Sequence, residues 1–310
     1  MQKFNNILVV LDPETEGMAA LDRAVSLAKS NGGRLTLLSV LKEPSYSQIH
    51  GVFAVQQQLK SAASERREWL QDLMIPRQDS SIDLAINIIQ GTAFLEIIRQ
   101  VLREQHDLVI TTAEDKKELR ARLFGTTSMH LMRKCPCPVW VVKREQLQPH
   151  TRILAAVDPS HDPSQDSLNQ LILQLASNIA LKEEAELHIV HVWHLFGERY
   201  VRDSGMTKQD FEETKALEEK LNTERLDSLL NRDEITSLQP HLHLIEGDPD
   251  ECIPEVVREQ DIDLLVMGTV CRTGIAGFLI GNTAEEVLNQ VDCSVLTLKP
   301  EGFVTPVVLE

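Results

Sequence analysis

Positive charge is scarce in this chain of 310 residues. Lysine and arginine together number 31, against 47 aspartates and glutamates, and the net charge is -16 at pH 7. Binding to the phosphates of a nucleic acid requires a basic surface, because each contact neutralises a negative charge. The composition therefore argues against a nucleic-acid partner and favours a small molecule or another protein.

Long apolar segments are also missing. No apolar run approaches the roughly 20 residues that a membrane-spanning helix needs. The apolar run at residues 7–11 stops at Asp12, and no small-residue cleavage site of a secretory signal accompanies it. We therefore predict no membrane partner and expect a cytoplasmic protein.

Cysteine is sparse, and its count is odd. An odd number of cysteines fits reduced thiols better than a disulfide framework. Cys135 and Cys137 are each followed by proline, which is compatible with a metal site or with a turn into an apolar strand at residues 138–142. The five cysteines are Cys135, Cys137, Cys252, Cys271 and Cys293.

Familiar catalytic signatures are absent from the sequence. It contains neither the Gly-x-Ser-x-Gly turn of a serine nucleophile nor the Gly-x4-Gly-Lys-Ser/Thr loop of many nucleotide hydrolases. No Ser-His-Asp arrangement can be assembled from the spacing of its residues. We predict no catalytic residue and expect a protein that is not an enzyme, with slow ATP hydrolysis as the alternative.

Short apolar runs alternate with helix-like segments along the first half of the chain. This alternation predicts an α/β fold with a doubly wound parallel sheet. The predicted strands cover residues 6–12, 35–40, 82–89, 107–111 and 138–142, and the predicted helices cover 18–30, 56–73, 93–103 and 126–133.

The second half of the chain repeats the first. The run ending in Asp158 matches the run ending in Asp12, and Val192 matches Val40. Three further pairs are separated by one common interval: Gly91 with Gly247, Gly125 with Gly281, and Cys137 with Cys293. The shorter intervals of the earlier pairs indicate two insertions in the second copy. We predict two similar domains, at residues 1–148 and 151–310, packed together as an internal pseudo-dimer because the linker between them is short.

Residues 263–283 form a strand, a glycine-bearing loop and the start of a helix. Gly268 follows the apolar run at 264–267, and Gly281 precedes a helical pattern that begins at Ala284. Amide groups at a helix N-terminus, together with the helix dipole, favour an anion such as phosphate. On spacing alone, the stretch is also compatible with an ordinary connecting loop.

Histidines cluster in the second half of the chain. Alternation along a strand places His188 and His191 on opposite faces and His241 and His243 on one face. Imidazole nitrogens at neighbouring strands can bind zinc, and the candidate set is His191, His241 and His243, with His188 as the substitute for His191. The alternative is that each histidine is separately accommodated at a strand end.

Several motifs recur at matching places in the two halves. They include the strand that ends at Asp12 or Asp158, the run from Asp263 to Gly268, and Cys-Pro-Cys-Pro-Val at residues 135–139 beside Asp-Cys-Ser-Val at 292–295. In this order they resemble the universal stress protein family, in particular its tandem, E-type members. The resemblance implies two domains, each with a five-stranded parallel sheet in the order 3-2-1-4-5 and helices on both faces.

The resemblance also implies a ligand. Its ATP-binding members carry Gly-x-x-Gly-x9-Gly-Ser/Thr, with an aspartate near the adenosine and the glycine loop around the phosphates. Here the spacing of Gly268 and Gly281 is kept, but Cys271 replaces the middle glycine and Asn282 the hydroxyl residue. The expected ligand is ATP with magnesium, in the second domain. The expected cofactor-binding residues are Asp158, Val192, Gly268, Gly281, Asn282 and Thr283.

The first copy departs further from that pattern. Thr112 and Asp115 stand at the two early glycine positions, and Glu114 adds a negative charge that would repel phosphate. We therefore expect a first domain that binds no nucleotide and serves as an internal dimerisation partner. The basic residues nearby leave an unusual anion site as the alternative to a solvated charged loop: Lys116, Lys117, Arg120 and Arg122.

The family resemblance further implies a role in resistance to stress, such as growth arrest or DNA damage. The expected mechanism is that of a ligand-binding or regulatory module whose occupancy changes the surface it presents to a protein partner. Two alternatives remain: a weak ATP hydrolase that uses the same crevice, and a scaffold that binds no nucleotide.

Overall fold

A computed structural model defines the fold. It describes residues 4–15, 17–42, 52–77, 79–113, 124–144, 146, 148–159, 166–195, 207–231, 233–269 and 281–309. The described residues fall into two compact units. The N-terminal unit holds residues 4–148 with 294–309, and the C-terminal unit holds residues 149–269 with 281–293.

Strands and helices alternate in the N-terminal unit, as the sequence predicts. The strands are β1 (Asn6–Val10), β2 (Arg34–Leu41), β3 (Asp83–Gln90), β4 (Leu108–Thr112) and β5 (Val139–Val142). The helices are α1 (Met18–Asn31), α2 (Val52–Met74), α3 (Ala93–Glu104) and α4 (Thr126–Lys134), with short 3-10 turns at Pro13–Thr15 and Ile75–Arg77.

The five strands lie side by side in the order β3-β2-β1-β4-β5, and every pair among them is parallel. The predicted order 3-2-1-4-5 is therefore confirmed for this unit. The central strands are mostly apolar, because both of their faces are covered by helices. Ile7, Leu8 and Val9 have no exposed surface, and the fully buried Trp140 of β5 has the guanidinium of Arg23 4.8 Å from its ring centre.

A sixth strand joins this sheet from the far end of the chain. Strand β10 (Ser294–Leu298) pairs antiparallel with β5, so that Val295 lies opposite Val141. Side chains reinforce the pair: Ser294 Oγ accepts the backbone N–H of Lys143 at 2.9 Å, and Thr297 Oγ1 donates to the carbonyl of Val139 at 3.3 Å. The strand that closes the second sequence repeat thus belongs to the N-terminal unit.

The C-terminal unit repeats the same plan. Its strands are β6 (Arg152–Ala156), β7 (Glu186–Trp193), β8 (His241–Glu246) and β9 (Leu264–Gly268), arranged β8-β7-β6-β9 and all parallel. Its helices are α5 (Ser167–Glu183), α6 (Lys208–Leu230), the single turn α7 (Asp233–Thr236), α8 (Pro249–Glu259) and α9 (Asn282–Gln290). The α/β class with a mostly parallel sheet is confirmed.

The long helix α6 lies between strands β7 and β8. Thr207 caps its start through a capping box with Asp210, since the hydroxyl accepts the amide of Asp210 and the carboxylate accepts the amide of Thr207. Leu226 and Leu230 are buried, whereas Leu217 is exposed. Within the part of the chain that the structure describes, no helix combines the length and apolar character needed to cross a bilayer.

Candidate functional site

Three neighbouring strands of the C-terminal unit end at one edge of its sheet. In the register, Ala156 of β6 lies opposite Met267 of β9 and opposite Val190 of β7. The chain reaches Asp158, Gly268 and Val192 within two residues of these positions. Three of the predicted site residues therefore gather at the carboxyl edge, where doubly wound folds bind ligands.

The absence of a side chain at Gly268 allows close packing at the end of β9. A Cβ atom added to Gly268 would lie 2.9 Å from Cδ2 of Leu168, in the first turn of α5. Real Cβ contacts are almost never this short, so any side chain here would displace the helix or the leucine. Gly268 therefore lets α5 pack directly on the end of β9.

The backbone of Asp158 is held by Asn169 of α5. The amide oxygen of Asn169 accepts the N–H of Asp158 at 3.0 Å, and its NH₂ donates to the carbonyl of Asp158 at 2.7 Å. The same NH₂ also donates to Asp166 at 2.9 Å. This clamp fixes the direction in which the chain leaves β6, with Asp158 on the surface.

Helix α9 starts at the same edge as these strand ends. The N–H of Gly281 donates to the carbonyl of Thr269 at 3.0 Å, which joins the start of the helix to the residue after β9. Gly281 is the N-cap residue, and as a glycine it has no side chain with which to cap this end. Asn282 and Thr283 are exposed, and their amides are among those that an α-helix leaves without an internal acceptor.

The helix starts earlier than the predicted start at Ala284, so Asn282 is its first residue. Gly281, and not Asn282, therefore occupies the N-cap position. The loop residues Cys271, Gly274 and Gly277 lie outside the described residues.

The corresponding edge of the N-terminal unit is arranged differently. Asp12 is paired with Arg66 of α2, whose Nη1 lies 3.8 Å from Oδ1, and the same carboxylate oxygen accepts the N–H of Glu14 at 3.1 Å. Thr112 stands where the second copy has Gly268, and the N-cap residue of α4 is again a glycine, Gly125. The charged residues between them, from Glu114 to Arg122, lie outside the described residues.

The histidine cluster forms with a different membership from the predicted set. His191 points away from the pair on β8 and has its Nε2 3.1 Å from Oδ1 of Asn222 on α6. His188 lies opposite His241 in the register, and its Nδ1 is 3.0 Å from Nε2 of His243. The set His191, His241 and His243 is thus not assembled, because residues three apart on a strand face opposite sides.

Sequence reasoning missed Asn169, Arg66 and Glu186. Asn169 and Arg66 lie on helices that follow the aspartates they contact, so the strand motifs carried no sign of them. Glu186 could have been found from its position two residues before His188, which places both side chains on one face of a strand.

Comparison with known proteins assigns the chain to a family. The model described as "Universal stress protein family" matches residues 3–143 and again 149–299. The chain belongs to the universal stress protein family. The two matches cover nearly all of it, so it is a tandem member.

Full-length relatives support this assignment. Universal stress protein E of Escherichia coli K12 is 28% identical over 100% of this chain and 98% of its own length. Universal stress protein E of Photorhabdus laumondii is 27% identical over 99% of this chain and 98% of its own. A crystal structure assigned to the universal stress proteins, from Pseudomonas aeruginosa UCBPP-PA14, has a TM-score of 0.66 at 27% identity, over 97% of this chain and 95% of that one.

Proposed function

We propose that this universal stress protein is a nucleotide-responsive module that binds ATP, with magnesium, at the carboxyl edge of its C-terminal unit. Occupancy of this site would change the surface offered to a protein partner and so support survival under stress such as growth arrest or DNA damage. The proposed ligand-binding residues are Asp158, Val192, Gly268, Gly281, Asn282 and Thr283.

One observation carries the proposal: the start of α9, whose N-cap residue is a glycine, is joined to the end of β9, one strand away from Asp158. The hydrogen bond from Gly281 to Thr269 holds the helix terminus next to the strand end. Amides without acceptors and the helix dipole favour a phosphate there. Asp158, on the adjacent strand, is suited to bind ribose hydroxyls, since a carboxylate accepts hydrogen bonds from two of them.

The two copies differ in the residues that a nucleotide would meet. In the N-terminal unit the guanidinium of Arg66 and the amide of Glu14 lie against one oxygen of Asp12, and Thr112 stands where the second copy has Gly268. Gly268 and Gly281 of the C-terminal unit keep the spacing of the family's ATP-binding motif, which favours the second copy as the nucleotide site.

The experiment is a calorimetric titration of nucleotide-stripped protein with ATP and magnesium. We expect about one site per chain, lost in Asp158→Ala and in Gly281→Trp, because the indole would cover the helix terminus. The matched controls Asp12→Ala and Gly125→Trp alter the equivalent positions of the first copy and should bind as the unaltered chain does. Binding that is absent from the unaltered chain, or that is lost only in the controls, would refute the proposal.

Turnover distinguishes the module from a hydrolase. None of the described side chains at the site is identified as a general base, so we expect bound ATP to remain intact. Phosphate release above background that disappears in Gly281→Trp and persists in Gly125→Trp would instead identify a slow hydrolase. The absence of both binding and turnover would favour a scaffold.

A further inference from the structure

A group of ionisable side chains lies away from the carboxyl edge, near the start of strands β7 and β8. His188 is the third residue of β7 and His241 the first of β8, and the two lie opposite each other in the parallel register. Their rings stack with centres 4.8 Å apart. Glu186 is on the same face of β7, two residues before His188.

The ring of His188 offers a buried nitrogen without a hydrogen-bond partner. The residue is 3% exposed, and its Nε2 meets no donor or acceptor among the described residues at hydrogen-bond distance. An unsatisfied buried polar atom costs free energy, so a structure that retains one calls for an explanation. A metal ion would provide it.

Ligand atoms of three residues already lie within the reach of one ion. One atom from each of Glu186, His188 and His241 can be chosen so that all lie within 4.8 Å of one another. The Glu186 carboxylate is 3.9 Å from Nε2 of His188. Two imidazoles and a carboxylate with an open position are a donor set that zinc accepts.

His243 is placed to support His188 rather than to bind the metal itself. Its Nε2 is 3.0 Å from Nδ1 of His188, and the two rings are nearly parallel, at 8°. A metal on Nε2 of His188 selects the tautomer in which Nδ1–H donates to His243. Histidines that bind metals commonly donate their second nitrogen in this way, which fixes the orientation of the ring.

We propose that Glu186, His188 and His241 bind a divalent transition-metal ion, with zinc as the first candidate, and that His243 positions His188. Solvent completes the coordination, because His241 and Glu186 are exposed and leave the site open. Arg152 donates to the Glu186 carboxylate at 3.1 Å and would have to share that carboxylate with the ion.

The metal site and the proposed nucleotide site are independent of each other. His188 and Val192 belong to one strand, and four residues of strand separate them by roughly 13 Å. The metal ligands cluster near the start of the strands, whereas the nucleotide site is at their carboxyl ends. Failure of ATP binding would leave this proposal unaffected.

The test is calorimetric titration of chelator-stripped protein with zinc sulfate, with metal analysis after gel filtration. We expect about one zinc per chain, and a loss of affinity of at least about tenfold in His241→Ala, which removes an exposed ligand. His194→Ala removes an exposed histidine just after β7 and serves as the matched control, with unchanged affinity. His243→Ala should weaken binding by about 10- to 100-fold if His243 orients His188.

Substitution with cobalt identifies the ligands. Visible absorption without the near-ultraviolet band of a thiolate complex is expected for histidine and carboxylate ligands. Zinc affinity that is equal in His241→Ala and the unaltered chain would overturn the proposal. A thiolate band that disappears in Cys137→Ser would place the metal at the Cys135–Cys137 pair and would overturn it as well.

Discussion

The two sequence repeats share the contacts that join their first and fourth strands, and they differ at the edge where a ligand would bind. Asp107, before β4, accepts the backbone N–H groups of Asn5 and Asn6 at 2.7 and 3.0 Å. Asp263, before β9, accepts those of Thr151 and Arg152 at 2.7 and 3.3 Å. An aspartate at the equivalent position therefore joins the first and fourth strands in each copy.

The carboxyl edge shows where the copies diverge. In the first copy the small residue is Gly17, at the start of helix α1, and the larger one is Thr112, at the end of β4. A Cβ atom added to Gly17 would lie 3.3 Å from Oγ1 of Thr112. The second copy reverses this, with Leu168 on the helix and Gly268 on the strand. The residue without a side chain is thus on the helix side in the first copy and on the strand side in the second, an exchange of volume between helix and strand.

The largest effect is expected at the glycines that follow β3 and β8. Gly91 has φ of 147° and Gly247 has φ of 153°, and added Cβ atoms would lie 2.9 Å from Cγ of Glu96 and 2.7 Å from Sγ of Cys252. Alanine at either position should lower the free energy of unfolding by about 2–3 kcal/mol, through strain and contact together. Urea denaturation measures the free energy of unfolding. A decrease in only one of the two variants would show that these glycines are not equivalent in the two copies.

Threonine at position 268, the strand residue of the first copy, should lower the free energy of unfolding nearly as much. Gly268→Thr places a side chain against Leu168, and overpacking of this kind costs about 1–3 kcal/mol. Leu168→Ala in the same chain should recover much of that loss, because it recreates the small-against-large arrangement of the first copy. A double-mutant cycle that shows simple additivity would contradict the exchange of volume.

The aspartates that join the first and fourth strands should matter equally. Asp107→Ala and Asp263→Ala each leave two backbone N–H groups without their acceptor, and we expect losses of about 1–2 kcal/mol. Thermal unfolding of the two variants at matched pH tests the prediction. Asp22→Ala, whose carboxylate accepts only from the side chain of Arg77 among the described contacts, is the control and should change stability less.

The smallest effect, and one that depends on pH, is expected at His106. Ile262 occupies the same place in the second copy, one residue before the joining aspartate, and both side chains are buried. Burial lowers the pKa of His106; Glu104, Arg34 and Asp107 are its charged neighbours. The unfolded chain then binds a proton more readily than the folded one, so stability should fall as the pH drops below about 6.5.

His106→Ile should remove this part of the acid sensitivity. Unfolding free energies measured at pH 7 and pH 5 should differ less in the variant than in the unaltered chain. The conservative replacement Ile262→Val supplies the matched control in the other copy, and it should leave the pH dependence unchanged. An equal loss on acidification in His106→Ile and the unaltered chain would contradict the assignment.

Much of the fold follows from sequence because it depends on local patterns. Apolar runs between turn residues locate the strands, and the repeat of Gly91 in Gly247 and of Asp12 in Asp158 identifies two copies. The order of the strands required the family resemblance, since an apolar run does not specify its neighbours. The gathering of Asp158, Val192 and Gly268 then follows from that order.

The features that sequence could not supply depend on register and on distant elements. Whether His188 or His191 meets His241 is decided by the pairing of β7 with β8, which are separated by the whole of α6. The pairing of Arg66 with Asp12 depends on where α2 lies over the sheet. Placement of β10 beside β5 is also invisible in the sequence, because the repeat assigns β10 to the second copy.

That strand has a consequence for protein synthesis. When a ribosome has made β5, the edge of β5 that later receives β10 has no partner within the N-terminal unit, and it stays so until residue 298 emerges. At ordinary translation speeds of about 5–20 residues per second, this delay lasts roughly ten to thirty seconds. An unpaired apolar edge is a place where nascent chains on one messenger can join to each other. The N-terminal half of the chain is therefore synthesised first, but the sheet of its unit is completed last.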